Sequence, residues 1–145
     1  MNKKVLTLFL AIIVLSTISI VSASDDFHED YGVTYNVPDG YTFEGAYSAL
    51  SSMDVVDDSQ GASFKYTKGS DQITVNIFKI KSSVTNDVLK KSLNPGASEK
   101  TIEDTDGFFT DLGSTAHFDF IQNGKLVSIE APSEDLIEDM LDIEK

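Results

Sequence analysis

Residues 117–130 read HFDFIQNGKLVSIE, and the Asn123-Gly124 at their centre decides how this part of the chain folds. Both residues accept the positive φ of a type I′ turn, and this dipeptide between alternating apolar residues is the strongest short signal for a β-hairpin. Closing the chain there pairs Ile121 with Leu126, Phe120 with Val127, Asp119 with Ser128, Phe118 with Ile129 and His117 with Glu130. Phe118, Phe120, Val127 and Ile129 then share one face, while His117, Asp119, Ser128 and Glu130 share the other. A slip of one residue would turn every side chain over, so the pattern specifies its own register.

The same logic holds upstream. Ala62, Phe64 and Tyr66 alternate with Ser63, Lys65 and Thr67, and Gly69-Ser70 suits a two-residue turn needing positive φ at its first position. Closure there pairs Lys68 with Asp71, Tyr66 with Ile73, Phe64 with Val75 and Ala62 with Ile77. A further hairpin is expected around Asp106-Gly107, joining residues 100–104 to 108–112, and residues 33–37 alternate as a strand ended by Pro38-Asp39-Gly40. Residues 41–58 fit neither the helix nor the strand period cleanly, with a short strand expected at 53–56.

Two helices complete the pattern. Thr85 caps the first, with Asn86 and Asp87 in its first turn, Val88, Leu89 and Leu93 facing inward, and Asn94-Pro95-Gly96 as its stop. Ser133 caps the second, whose stripe is Leu136, Ile137, Met140, Leu141 and Ile143. Hairpins with one apolar face plus amphipathic helices imply an α+β domain: an antiparallel sheet of about six strands with both helices packed on one face.

The ends and the composition restrict function. Lys3 and Lys4, an uncharged run over residues 5–21, and Val21-Ser22-Ala23 have the order of a secretion signal, so residues 1–23 are expected to be removed on export. The competing reading is a retained anchor, for which a 17-residue run is short of the roughly 20 apolar residues a spanning helix needs. Membrane association is expected only if that segment stays. Residues 24–32 form an acidic linker, and residues 33–145 form the domain. Without the signal, nine lysines face 24 carboxylates, a net charge of −15, and there is no arginine. Nucleic acid is therefore a poor partner, because phosphates are bound by Lys and Arg. A basic protein or a component of the cell envelope suits the charge better. With no cysteine, the domain must be held by its core rather than by disulfides.

The order of a strand before Pro38-Asp39-Gly40-Tyr41, a hairpin, a helix, Asp106-Gly107-Phe108, the Asn123-Gly124 hairpin and an acidic terminal helix resembles uncharacterised small exported proteins of methanogenic archaea. Their layout is similar to the PsbP/MOG1-like antiparallel sheet. The resemblance spans most of residues 33–145, rests on turn motifs, and implies a non-enzymatic extracytoplasmic role.

Chemistry has few candidates. His117, Asp119, Ser128 and Glu130 share a polar face, and a Ser–His–acid set can be drawn from them. Ser128 faces Asp119 rather than His117, however, and a triad requires the imidazole to touch the nucleophile. A cross-strand ion pair that raises the histidine pKa is the simpler expectation. No catalytic residue is therefore assigned. Among carboxylates, Asp104 and Asp106 superficially suggest a calcium loop. Aligning Gly107 with the loop glycine puts Ile102 at the first ligand position and Gly113 where the bidentate Glu belongs, so that reading fails. Asp57 and Asp58, like the Asp25, Asp26, Glu29 and Asp30 group, could hold calcium weakly. Calcium is the one cofactor these residues leave open. Three functions follow in order: an exported non-catalytic binding domain at the cell surface or envelope, a calcium-dependent adhesive or scaffolding module, and a hydrolase using the face around His117.

Overall fold

A computed structural model describes residues 31–57, 60–93 and 95–143. The expected signal (residues 1–23), the linker up to residue 30, Asp58 and Asn94 lie outside the described residues. Seven strands run in the order β1 (Thr42–Leu50), β2 (Gln60–Lys68), β3 (Asp71–Lys79), β4 (Ser98–Ile102), β5 (Thr105–Asp111), β6 (Ala116–Gln122) and β7 (Lys125–Ala131). Helix α1 (Asn86–Ser92) lies between β3 and β4, and α2 (Glu134–Leu141) follows β7. All seven strands form one antiparallel sheet in the spatial order β1-β2-β3-β7-β6-β5-β4. The fold is thus two meanders, β1 to β3 and β4 to β7, zipped together where β3 meets β7.

Both expected registers are present pair for pair, from Ala62↔Ile77 to Lys68↔Asp71 and from His117↔Glu130 to Ile121↔Leu126. The turns supply the reason: Gly69 has φ 63°, while Asn123 and Gly124 have φ 49° and 72°. Across β3 and β7, Val75 meets Ile129 and Ile77 meets Val127, so the apolar faces of the two hairpins become one surface. Phe64, Tyr66, Phe118 and Phe120 are completely or almost completely buried there, beneath Ile137, Met140 and Leu141 of α2. Each fully buried side chain of this size is worth about 1.5–3 kcal/mol.

The opposite face carries a second, smaller core. Phe78 of β3, Leu126 of β7 and Phe108 of β5 pack with Val55, Val56, Ile80 and Leu89 of α1. Phe78 and Leu126 pair with each other, one position along from the Ile77–Val127 pair, and side chains alternate across a strand. The two helices therefore sit on opposite faces, not on one. The expectation of two helices on one face fails because β3 and β4 are at different places in the sheet. The crossover between them runs behind it, whereas α2 folds back from β7 over the front.

Other boundaries differ for local reasons. The seventh strand is β1, whose period is broken by a bulge between Phe43 and Gly45 and whose position leaves most of it exposed. Residues 33–37, with Val33 and Tyr35 buried, do not join the ladder. Thr34 N instead donates to Gln122 Oε1 (2.7 Å) and Asn36 N to Met140 O (2.7 Å), which ties the segment to the β6–β7 turn and to α2. The expected strand at 53–56 is reduced to one bridge, Val56↔Ile80. The β4–β5 turn is Glu103-Asp104 (φ 45° and 60°), with Ile102 paired to Thr105; Asp106-Gly107 is inside β5. A Cβ on Gly107 would lie 2.6 Å from both Asp119 O and Phe118 Cζ, so that glycine answers to packing and not to a turn. In α1, Leu89 is buried as expected while Val88 is 40% exposed.

Candidate functional site

On the face that α1 covers, the strand pairings arrange side chains in transverse rows. One row is apolar and runs through Phe78 and Leu126 under α1. The next runs Tyr47, Ser63, Asn76, Ser128, Asp119 from β1 to β6. The one beyond it runs Lys65, Thr74, Glu130, His117, Thr110 from β2 to β5. Helix α2 packs on the other face, and α1 packs on the apolar row and on Phe108, which pairs with Asp119 at the β5 end of the first polar row; Ser63 and Asp119 are buried and the other eight residues are partly or fully exposed. Ten residues from six strands thus form a polar platform on a sheet whose far side is a close-packed core.

All four residues singled out from the sequence lie at one end of this platform. Ser128 Oγ donates to Asp119 Oδ1, and His117 Nε2 lies 3.3 Å from that same oxygen. The Nε2 atom is shielded from solvent and has no hydrogen-bond partner among the described residues, so its contact with Asp119 is an ion pair out of line with a proper hydrogen bond. The expected register holds His117 opposite Glu130, but the imidazole turns along its own strand to Asp119. Asp119 is only 7% exposed, which strengthens the contact. The side-chain contact with Asp119 raises the His117 pKa above the usual imidazole range. Burial works against it, and the charges of Asp119 and Glu130 add to the rise.

The order is hydroxyl–carboxylate–imidazole. In a serine triad the imidazole stands between the other two, because it must take the hydroxyl proton. Here the Ser128 proton points at Asp119. What the arrangement can do is hold a compact, partly desolvated charge pair and offer Asn76, Thr74, Ser63 and Lys65 as hydrogen-bonding groups beside it.

Two grooves flank the platform. One of about 450 Å³ lies at its β1 end, lined by Tyr47, Ser63, Lys65, Asn76 and Phe78, with Lys65 Nζ 5.0 Å from the centre of the Tyr47 ring. The other, about 430 Å³, opens beside α1 and is lined by Asp87, Glu99, Thr101, Asp106 and Phe108. Alternation along β2, β6 and β7 was visible in the sequence, yet the platform as a unit was missed, since it exists only once β3 pairs with β7 and β1 is placed.

Of the carboxylates suggested for calcium, the described Asp57, Asp104 and Asp106 are dispersed. Asp57 pairs with Lys79 at 3.5 Å, Asp106 accepts a hydrogen bond from Thr101 Oγ1 at 2.6 Å, and Asp104 sits in the tight β4–β5 turn. Among the described residues, no group of three or more His, Cys, Asp or Glu side chains is placed to hold a metal ion. Among the same residues, no helix is long and apolar enough to cross a membrane. Neither a protein-family model nor a curated protein matches the chain.

Proposed function

We propose that the protein is a non-catalytic binding domain exported to the cell surface or envelope, and that it binds through the two polar rows of its sheet. The observation that carries this reading is the platform: polar and ionisable side chains from six strands in two adjoining rows, eight of the ten partly or fully exposed, next to the apolar row that α1 covers. Residues on strands are held in place by the ladder on either side, which favours recognition without a large ordering cost. The hydroxyl–carboxylate–imidazole order supports binding over hydrolysis, since it leaves the imidazole out of contact with the Ser128 hydroxyl. The charge of the chain supports a basic partner, as a polyanionic surface draws cationic proteins and repels nucleic acid. The secretion-like residues 1–23 support the extracytoplasmic setting.

The test is binding of the immobilised purified protein to envelope fractions, compared with Asn76→Arg, which plants a cation in the middle of the platform. The variant should lose the binding while its melting temperature stays within about 2 °C, as expected for a surface substitution. Undiminished binding by the folded variant would show that another surface is used.

A further inference from the structure

The position of His117 suits one protonation state. Its Nε2 stands 3.3 Å from Asp119 Oδ1, and that oxygen already accepts the Ser128 hydroxyl. The same nitrogen is shielded from solvent and has no hydrogen-bond partner among the described residues. A charge attraction tolerates this geometry because it depends on distance, whereas a hydrogen bond weakens steeply with angle. The imidazolium is therefore held in place. A neutral ring left there would keep a shielded nitrogen without a partner, which is unfavourable. The ring also has somewhere to go. Its side chain is 29% exposed, it stands two rows away from the apolar row under α1, and strand residues commonly take either of two χ1 rotamers.

We propose that His117 is a proton-operated latch on the platform: the imidazolium lies on Asp119 and neutralises it, and the neutral ring turns away and yields that carboxylate to a cationic side chain of the partner. The second half rests on the binding function proposed above. The surrounding charges select a cation. Glu130 faces His117 from β7 and Thr110 faces it from β5, while α2 lies on the other face. Asp119 has Ser128 and Phe108 as its strand neighbours, neither of them charged. The one fixed cation of the two polar rows, Lys65, stands three strands from His117. That is about 14 Å at the usual strand spacing, beyond the screening length at physiological salt. With the imidazolium in place the platform carries two charges of each sign, and loss of its proton leaves a negative excess at Asp119. A lysine or arginine of a basic partner then stands in for the imidazolium. The contact with Asp119 holds the His117 pKa above its ordinary value of 6.5, so the exchange falls above that pH.

NMR of the purified protein tests the latch without any ligand. The side-chain rotamer of His117, read from three-bond couplings, should change over the pH range in which its ring titrates. A rotamer that stays the same throughout the titration would overturn the proposal. Hexalysine tests what the latch releases. Its affinity should rise about three- to tenfold between about pH 6 and pH 8.5, where carboxylates stay ionised, as expected for one negative charge gained at a partly screened site. In His117→Gln, whose side chain is polar but never charged, that rise should be absent. An equal response to pH in the two proteins, whether rising or flat, would overturn the second half of the proposal together with the platform as the site for a basic partner. The rotamer measurement is untouched by that result, so the two failures are told apart.

Discussion

Gly107→Ala tests by the sign of its effect whether Gly107 is held by close packing or is an ordinary strand residue. Gly107 stands inside β5, opposite Phe120, without positive φ. In an ordinary strand interior, replacing Gly by Ala should stabilise by roughly 0.5–1 kcal/mol, because glycine loses more conformational freedom on folding. Here the new Cβ would lie 2.6 Å from Asp119 O and 2.6 Å from Phe118 Cζ, where ordinary contact begins at 3.4 Å. The ring can yield a little, but it is stacked on Phe120 at 5.5 Å and wholly buried. The carbonyl belongs to the neighbouring strand and can yield only if β6 moves. Overpacking of this kind costs about 1–3 kcal/mol. For a domain of this length that corresponds to a fall in melting temperature of roughly 4–12 °C. Circular dichroism against temperature, with urea titration to confirm an unchanged m-value, measures it. Adding Phe118→Leu should restore part of the loss, as it removes one of the two contacts. A melting temperature unchanged or raised by Gly107→Ala would refute the packing argument.

Three further outcomes follow from the same structure. Leu89→Ala should cost about 2–5 kcal/mol, because Leu89 is the fully buried residue by which α1 grips the second core, whereas Val88→Ala should stay within about 0.5 kcal/mol; equal effects in thermal unfolding would mean α1 is turned otherwise. Thr85→Ala should cost about 0.5–1 kcal/mol, since Thr85 Oγ1 accepts from Val88 N at 3.4 Å, while Ser133→Ala should be smaller because Ser133 makes no side-chain cap bond; the reverse order in denaturant titrations would contradict the capping geometry. His117 should titrate above the usual value of about 6.5 by NMR, and Asp119→Asn should bring it back down. With a folded pKa raised above the unfolded one, the His117 contribution to stability is complete below about pH 6.5 and is lost as pH climbs through the folded value; an unshifted or lowered pKa removes it.

Much of the sheet was legible because its information is local. A two-residue turn brings neighbouring strands together in one register, and the Gly69-Ser70 and Asn123-Gly124 turns each do so where alternation agrees. Legibility failed where one local signal was ambiguous. Asp106-Gly107 reads as a turn in isolation, but the chain turns three residues earlier, at Glu103-Asp104, and uses Gly107 to admit Phe118 and the β6 backbone. The period of β1 is disguised by its bulge and by an exposed edge position that puts little constraint on residue type. Residues 33–37 have the alternation of a strand because one side of them is buried, yet alternation alone does not specify a ladder partner.

At the site, the sequence by itself determined which residues are opposed, His117 to Glu130 and Asp119 to Ser128, since alternation and a tight turn act over a few residues. It also determined the acidity and the absence of cysteine, which are properties of composition. Only the tertiary structure decided that the imidazole leans on Asp119, that β3 and β7 weld two meanders into one platform, and that the helices lie on opposite faces. Those choices depend on contacts between residues far apart in the chain, made when two apolar surfaces close on each other. No short-range pattern records which loop passes in front of a sheet and which passes behind.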